Sequence, residues 1–340
     1  MNPGPVMLDV AGLELRPEEK DLLRHPATGG IILFSRNYEN SAQVTHLIRS
    51  LRAVRPELLV AVDHEGGRVQ RFRAEMTAIP AMGSVGALHE QDPARAEGWA
   101  TDCGTVLAWE LTQLGVDFSF TPVLDLDYGR SAVIGNRSLH REPTRVCALA
   151  RALVRGLRGQ GMSAVVKHFP GHGHVTVDSH LGLPVDERTW DELESADLIP
   201  FRALLDCAGV GALMPAHVLY SAIAPEPAGF SPFWLQTLLR QRWGFEGMIL
   251  SDDLTMGGAV TWGGGAEERT HLALDAGCDA VLVCNDVSAS EQVLESLERI
   301  SFSPQLAQRW MKMRATSDAP LFQRERDYHE AHRRLQGMEE

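Results

Sequence analysis

Lys167 to His180 reads K-H-F-P-G-H-G-H-V-T-V-D-S-H, which places four histidines and an aspartate within 14 residues. Asp178 and His180 stand two apart. In an extended or turning loop the carboxylate can hold one imidazole nitrogen while the other faces a substrate. A carboxylate partner orients the ring and raises its basicity, which suits proton transfer near neutral pH. The same side chains invite a metal, because imidazole and carboxylate are ordinary zinc ligands. The spacing H-x3-H-x-H-x5-H matches no helix face, however, and no H-E-x-x-H occurs, so acid–base work is the stronger reading. A solvated, histidine-rich loop is the non-functional alternative.

A second segment, Ser251-Asp252-Asp253-Leu254-Thr255-Met256, puts adjacent carboxylates at the end of an apolar run. Asp252 shares a strand face with Leu250, while Asp253 begins the turn. A carboxylate so placed can attack an anomeric carbon or stabilise charge there. The alternative, a helix N-cap, fits Asp253 better than Asp252. In a third segment, Asp63-His64-Glu65-Gly66-Gly67-Arg68-Val69-Gln70-Arg71, a Gly pair permits a tight turn that returns Arg71 toward the opening at the strand end. Asp63 with Arg71 suits sugar hydroxyls, or an internal acid–Arg bridge bracing the loop. Arg137 and the dipeptide Lys167-His168 complete the set of candidates.

These residues need elements to hold them. Short apolar runs occur at Val6–Val10, Gly30–Phe34, Leu58–Asp63, Phe118–Asp125, Ala164–Phe169, Ala212–His217, Met248–Asp253 and Ala280–Asn285. They are near-continuously apolar, as strands buried on both faces should be. Helical periodicity fills the intervals at Ala94–Leu114, Thr144–Gln160, Thr189–Asp206, Ser231–Arg242, Glu267–Ala276 and Ser288–Ile300. Asp186 and Ser231-Pro232 are candidate starts, and Gly115, Gly161 and Gly277 candidate stops. Strand alternating with helix predicts a parallel sheet. Its polar residues (Asp63, Asp125, Lys167, His168, His217, Asp252 and Asn285) gather at the C-terminal ends of the runs. That distribution favours a single (β/α)8 TIM-type barrel over a doubly wound sheet, which would concentrate them near one switch point. The chain is expected to be one catalytic barrel domain over 1–340, with about 301–340 forming a helical tail packed on it.

The chain has 340 residues and a formal net charge of −13, which argues against nucleic acid or an anionic membrane as default partner. No G-x-G-x-x-G follows the first strand, and no phosphate-binding G-x-x-x-x-G-K-[ST] occurs. Five scattered cysteines without a C-x-x-C read as small buried hydrophobes in a reducing compartment. With no apparent signal peptide and no long apolar span, the expected location is the cytoplasm.

The chain resembles the single-domain bacterial β-N-acetylglucosaminidases of glycoside hydrolase family 3, which serve cell-wall recycling in the cytoplasm. The likeness is carried by GGIILFSRNY, DHEGGRVQRF, GVDFSFTPVLDLD, KHFPGHG…DSH, MPAHVLY, SDDLTMGGA and DAGCDAVLVCN. It implies a (β/α)8 barrel and a retaining mechanism with Asp252 as nucleophile. It also implies His180 as general acid/base assisted by Asp178, and Asp63, Arg71, Arg137, Lys167 and His168 as the N-acetylglucosamine-binding residues. His64 stands where Gln is more usual in the family, and His174 where Asp or a small residue is frequent.

The expected substrate is therefore a small carbohydrate, a muropeptide or chito-oligosaccharide. No cofactor or metal is expected, no nucleic acid or membrane partner, and a monomer. Lys167, Arg71 and Arg137 are expected to make the pocket locally cationic and to keep Asp252 ionised. Phosphorolysis, metal-dependent hydrolysis through the His-rich loop and non-catalytic muropeptide binding are the competing readings.

Overall fold

The structure, a computed structural model, describes residues 3–179, 182–298 and 302–337. His180 and Ile300 therefore lie outside the described residues. Eight parallel strands form one sheet. They are β1 (Val6–Leu8), β2 (Thr28–Leu33), β3 (Leu59–Val62), β4 (Phe118–Ser119), β5 (Ala164–Phe169), β6 (Val210–Pro215), β7 (Met248–Asp253) and β8 (Ala280–Leu282). β1 pairs with both β2 and β8, in the registers Met7↔Gly30 and Val6↔Val281. The order continues β2–β3–β4 on one side and β8–β7–β6–β5 on the other. A bridge between Val123 and Lys167, with Leu124 N donating to the Lys167 carbonyl at 2.7 Å, joins β4's continuation to β5 and closes the ring. The expected (β/α)8 barrel is what the chain forms, with each predicted apolar run supplying one strand.

The strands close because their residues are buried on both faces: all of β1, β2 and β3 is buried. Helices cover the outer face. Pro93–Leu114 begins where the Asp92 side chain accepts from Arg95 N, and ends at Gly115, whose φ of 96° favours glycine. Two helical expectations change. The run Thr189–Asp206 divides into Trp190–Glu194 and Leu198–Leu205. Asp197, between them, is buried and takes both Arg188 and the Tyr128 hydroxyl at 2.7 Å. The start is also not Asp186: Thr189 caps the helix reciprocally with Glu192, and Asp186 instead holds Arg188.

The C-terminal helices pack on the barrel at two places. Trp310 lies under the N-terminal ends of β1 and β2, its Nε1 donating to the Gly4 carbonyl at 2.9 Å. A Cβ on Gly29 would come within 2.9 Å of that indole ring, so glycine is needed for the close approach. Helix Leu321–Gln336 lies along Pro93–Leu114, with Arg334 bidentate on Asp102 and Tyr328 stacked on Trp109. Both contacts leave the opposite, C-terminal face of the barrel open for chemistry. Among the described residues, no helix is long and apolar enough to cross a membrane.

Candidate active site

At that face lies a cavity of about 390 Å³, within the range of small-molecule sites. Asp63, Arg71, Arg137, Lys167, His168, Asp178 and Asp252 all line it. The candidates with described positions, drawn from four different strand ends, thus meet in one place. His180 lies outside the described residues.

Asp63 follows β3 directly. The chain beyond it turns back through the hairpin His64–Gly66/Val69–Gln70, in which Gly66 and Gly67 have positive φ. The turn brings an Arg71 NH2 to 3.5 Å from Asp63 Oδ2, while Lys167 Nζ lies 3.0 Å from Asp63 Oδ1. Beneath them sits Glu65, which the sequence reading admitted only as a possible acid–Arg bridge. It accepts two bonds from Arg137, at 2.9 and 2.7 Å, and Lys167 Nζ lies 2.7 Å from the same carboxylate. Burial alone would raise the Glu65 pKa, but Arg137 and Lys167 outweigh it and hold the carboxyl well below its ordinary range. Burial likewise opposes charge on Lys167, and Asp63 with Glu65 more than restores it.

The expectation of a locally cationic pocket is corrected here. The bridging alternative weighed for the acid–Arg pairs is realised. Arg71 and Lys167 are answered by Asp63, and Arg137 and Lys167 by Glu65; with Asp252 on the same cavity, three carboxylates match the three cations before any substrate arrives. Their function is then to hold rigid, oriented donors rather than to supply an excess of charge.

His168 is oriented from behind by Asp125, Nδ1 to Oδ2 at 2.6 Å, which leaves Nε2 for the cavity. Asp125 also accepts the His168 and His172 backbone N–H groups at 3.2 and 2.7 Å. One buried carboxylate at the end of the fourth strand run therefore organises the start of the His-rich loop. His172 in turn contacts Ser179 Oγ through Nε2 at 3.0 Å, and Gly258 N donates to the Ser179 carbonyl at 2.7 Å. The segment from Gly171 to Ser179 is thus pinned to the chain beyond β4 and to the helix that begins at Gly257. Burial, with His168 adjacent, lowers His172 to about 4, so its ring is neutral at physiological pH. His174 packs edge-on to Tyr128 and meets Arg130 at 2.8 Å. His168, His172 and His174, the described histidines of the motif, are therefore not gathered by one centre. Among the described residues no group of three or more His, Cys, Asp or Glu side chains is placed to hold a metal ion.

Asp252 ends β7 half-buried, its Oδ1 accepting the Asp253 N–H at 2.8 Å. Burial pushes its pKa up; the facing His217 and His168, the Asp253 N–H and Lys167 bring it below the ordinary value, so it is ionised. His217 Nε2 lies 3.1 Å from the Asp253 carbonyl, which fixes that nitrogen as the N–H. Asp253 does not cap a helix, which begins only at Gly257; it accepts from Thr255 N within the turn. His172 is the functional neighbour to which motif spacing gave no role of its own, while Glu65 entered only as a possible acid–Arg bridge and Asp253 only as the start of the turn or a helix cap. A carboxylate directly preceding the Gly pair was the one available signal for Glu65.

The chain resembles known proteins over most of its length. The model of the glycosyl hydrolase family 3 N terminal domain matches residues 6–312. A β-hexosaminidase of Nitrosospira multiformis is 52% identical over 298 residues, covering 87% of this chain and 85% of the relative. One of Neisseria meningitidis is 52% identical over 315 residues, covering 92% and 86%. The crystal structure of NagZ from Neisseria gonorrhoeae in complex with N-trifluoroacetyl-D-glucosamine superposes with a TM-score of 0.88 at 48% identity, covering 98% of this chain and 94% of the other. A β-N-acetylhexosaminidase from Beutenbergia cavernae is more distant, at 27% identity and a TM-score of 0.78 over 91% and 93% of the two chains. On this agreement of sequence and fold, the chain belongs to glycosyl hydrolase family 3.

Proposed function

We propose that this glycoside hydrolase, a β-N-acetylhexosaminidase, releases terminal non-reducing β-linked N-acetylglucosamine from peptidoglycan fragments of the GlcNAc–anhydroMurNAc type. It does so with retention of configuration, as a single cytoplasmic catalytic unit that needs no cofactor. The observation that carries this reading is the convergence of Asp252, at the end of β7, and Asp178, on the loop after β5, upon one cavity with Asp63, Lys167 and His168. A retaining glycosidase needs a nucleophile on one side of the anomeric carbon and a proton donor at the leaving oxygen.

In the first step Asp252 attacks the anomeric carbon. Its Oδ1 is occupied by the Asp253 N–H, so Oδ2 forms the new bond. The C1–O bond breaks, and His180, protonated and oriented by Asp178, passes its proton to the departing oxygen. In the second step neutral His180 takes a proton from water, the hydroxyl attacks C1, and the Asp252 carboxylate is released. Asp63, Arg71, Arg137, Lys167 and His168 hold the sugar ring through both steps. Holding the ring by donors already locked in ion pairs limits reorganisation as charge develops.

A panel of 4-nitrophenyl β-glycosides (GlcNAc, GalNAc, glucose and xylose), each assayed with and without phosphate, tests the reading. Preferential release from the GlcNAc compound, giving free sugar in both buffers, is expected. Sugar 1-phosphate as the main product would replace hydrolysis with phosphorolysis. Equal turnover of the glucoside would remove the N-acetylglucosamine assignment.

A further inference from the structure

The cavity is closed at one end and open at the other. Lys167 and His168 are buried at its inner end, whereas Arg68, Ala132 and Thr176 are exposed where it meets solvent. A terminal sugar enters with its non-reducing end innermost, so the group it is linked to lies among the exposed residues. Asp178, the partner of the proton donor in the reading above, lines the same cavity and faces Arg68. The outer residues are therefore those that the departing group meets.

Arg68 stands at the tip of the hairpin that follows Asp63, directly after Gly66 and Gly67. Its NH2 donates to two carbonyl oxygens, those of Ala132, at 3.2 Å, and Val133. Both carbonyls belong to the loop beyond β4, which also lines the cavity. Carbonyls hold a guanidinium in place without neutralising it. Among the described residues nothing accepts from its Nε or NH1, and no carboxylate forms an ion pair with it. Arg71, Arg137 and Lys167 are all answered by carboxylates, so the cation left unanswered is the one at the mouth.

Arg130, on the same loop, repeats the pattern. Its NH1 lies 2.8 Å from His174 Nε2. A guanidinium can only donate, so that nitrogen carries no hydrogen and the ring is neutral. Nδ1 then bears the hydrogen, 3.7 Å from Asp186 Oδ2. Arg130 borders two shallow pockets, and each shares a residue with the cavity, Thr176 in one and Ala132 in the other. Of the carboxylates there, Asp186 holds Arg188, Glu192 caps Thr189 and Asp127 accepts from Gly129 N. Among the described residues none of them, Glu187 included, pairs with Arg130.

We propose that Arg68, with Arg130 beyond it, selects a leaving group that carries a carboxylate, which it binds by charge-assisted hydrogen bonds at the mouth of the cavity. This rests on the reading of the cavity as a site for terminal N-acetylglucosamine whose aglycone departs past Asp178. A chain of net charge −13 that leaves two guanidiniums unanswered beside its cavity attracts anions at that place and not over its surface at large. The unused N–H groups of Arg68 suit carboxylate oxygens, and its anchored NH2 means that little freedom is lost on binding. In a peptidoglycan fragment the carboxylate comes from the lactyl group of the muramyl ring or from its peptide.

The test uses β-linked GlcNAc–anhydroMurNAc in four forms. Two carry the lactyl group as free acid or as carboxamide, and two carry it joined to an L-Ala–D-Glu dipeptide with free or amidated carboxyls. Wild-type kcat/KM should favour the acid over the amide by at least about fivefold in one of the two pairs, and that pair names the source of the carboxylate. Arg68→Gln should bring the ratio to within about twofold of unity, while Arg68→Lys, which keeps the charge, should retain part of it. Loss of the loop brace alone would slow acid and amide alike and leave the ratio where it was. The wild-type ratio should also shrink as salt rises from about 50 mM to about 500 mM, a series that reads the same point if Arg68→Gln folds poorly. Equal kcat/KM for acid and amide in both pairs, or a ratio that neither Arg68→Gln nor salt alters, overturns the proposal. Release of N-acetylglucosamine from the amides measures the underlying reading by itself, so the two can fail separately; no release from any of the four forms would remove both.

Discussion

Glu65 and Arg137 are joined by two parallel bonds, Nε to Oε2 at 2.9 Å and an NH2 to Oε1 at 2.7 Å, beneath the cavity floor. Lys167 Nζ closes the group at 2.7 Å. The pair fixes two of the donors proposed to hold the sugar. Glu65→Gln keeps the shape but removes the charge that both cations share. Leaving a buried charge without its partner costs about 3–5 kcal/mol. Steady-state kinetics should show KM for a 4-nitrophenyl N-acetylglucosaminide rising at least about tenfold, equivalent to 1.4 kcal/mol of lost ground-state binding. An unchanged KM would contradict the role given to this pair.

The same carboxylate predicts how stability responds to acid. Glu65 is held below its ordinary value of 4.5 in the folded chain, so the unfolded chain binds its proton more readily. Its contribution is therefore complete above 4.5 and is lost as pH falls through the depressed folded value. Scanning calorimetry should find the gap in Tm between wild type and Glu65→Gln closing from about pH 5 downward. A gap that holds constant through that range would show that Glu65 is not the group responsible.

Ser179 is pinned by His172 through its hydroxyl and by Gly258 N–H through its carbonyl, one residue beyond Asp178. Loosening this anchor should misplace the proton donor more than the nucleophile. Ser179→Ala is expected to lower kcat by about tenfold on aryl glycosides with poor leaving groups and by less than about threefold on those with good ones, as lost acid catalysis does. His180→Ala should show the same dependence more steeply. Equal losses of Ser179→Ala on both substrates would mean that the anchor serves only the fold.

Trp310 fills the base of the barrel, on the face opposite the site, with its indole N–H satisfied by Gly4. Trp310→Ala should cost about 3–5 kcal/mol of stability in urea titration. At temperatures where the variant is folded, KM should match the wild type, because the ring packs at Gly4 and Gly29, before the N-terminal ends of the strands, and the cavity lies at the opposite face. A raised KM would instead tie the tail to substrate binding.

Much of this architecture is written in local patterns. Eight apolar runs and their polar C-terminal residues sufficed for the barrel and its working face, because strands buried on both sides leave a continuous signature. The Gly66–Gly67 turn was legible for the same local reason. What spacing could not reveal was pairing over long separations. Glu65 meets Arg137 across 72 positions, and Asp125 meets His168 across 43. Such pairs depend on how the ring closes, and closure is a property of the whole sheet. The break at Asp197 escaped notice similarly, since its cause lies in Tyr128 and Arg188.

The central claim is that Asp252 becomes covalently joined to the sugar. A fluorinated N-acetylglucosaminyl donor, with a good leaving group and a slowed second step, should accumulate the intermediate. Mass spectrometry of the intact protein, followed by peptide mapping, reads the outcome. One added sugar, located on the peptide containing Asp252 and absent from Asp252→Ala, is the predicted result. Rapid turnover by Asp252→Ala, or an adduct on any other side chain, would contradict the account.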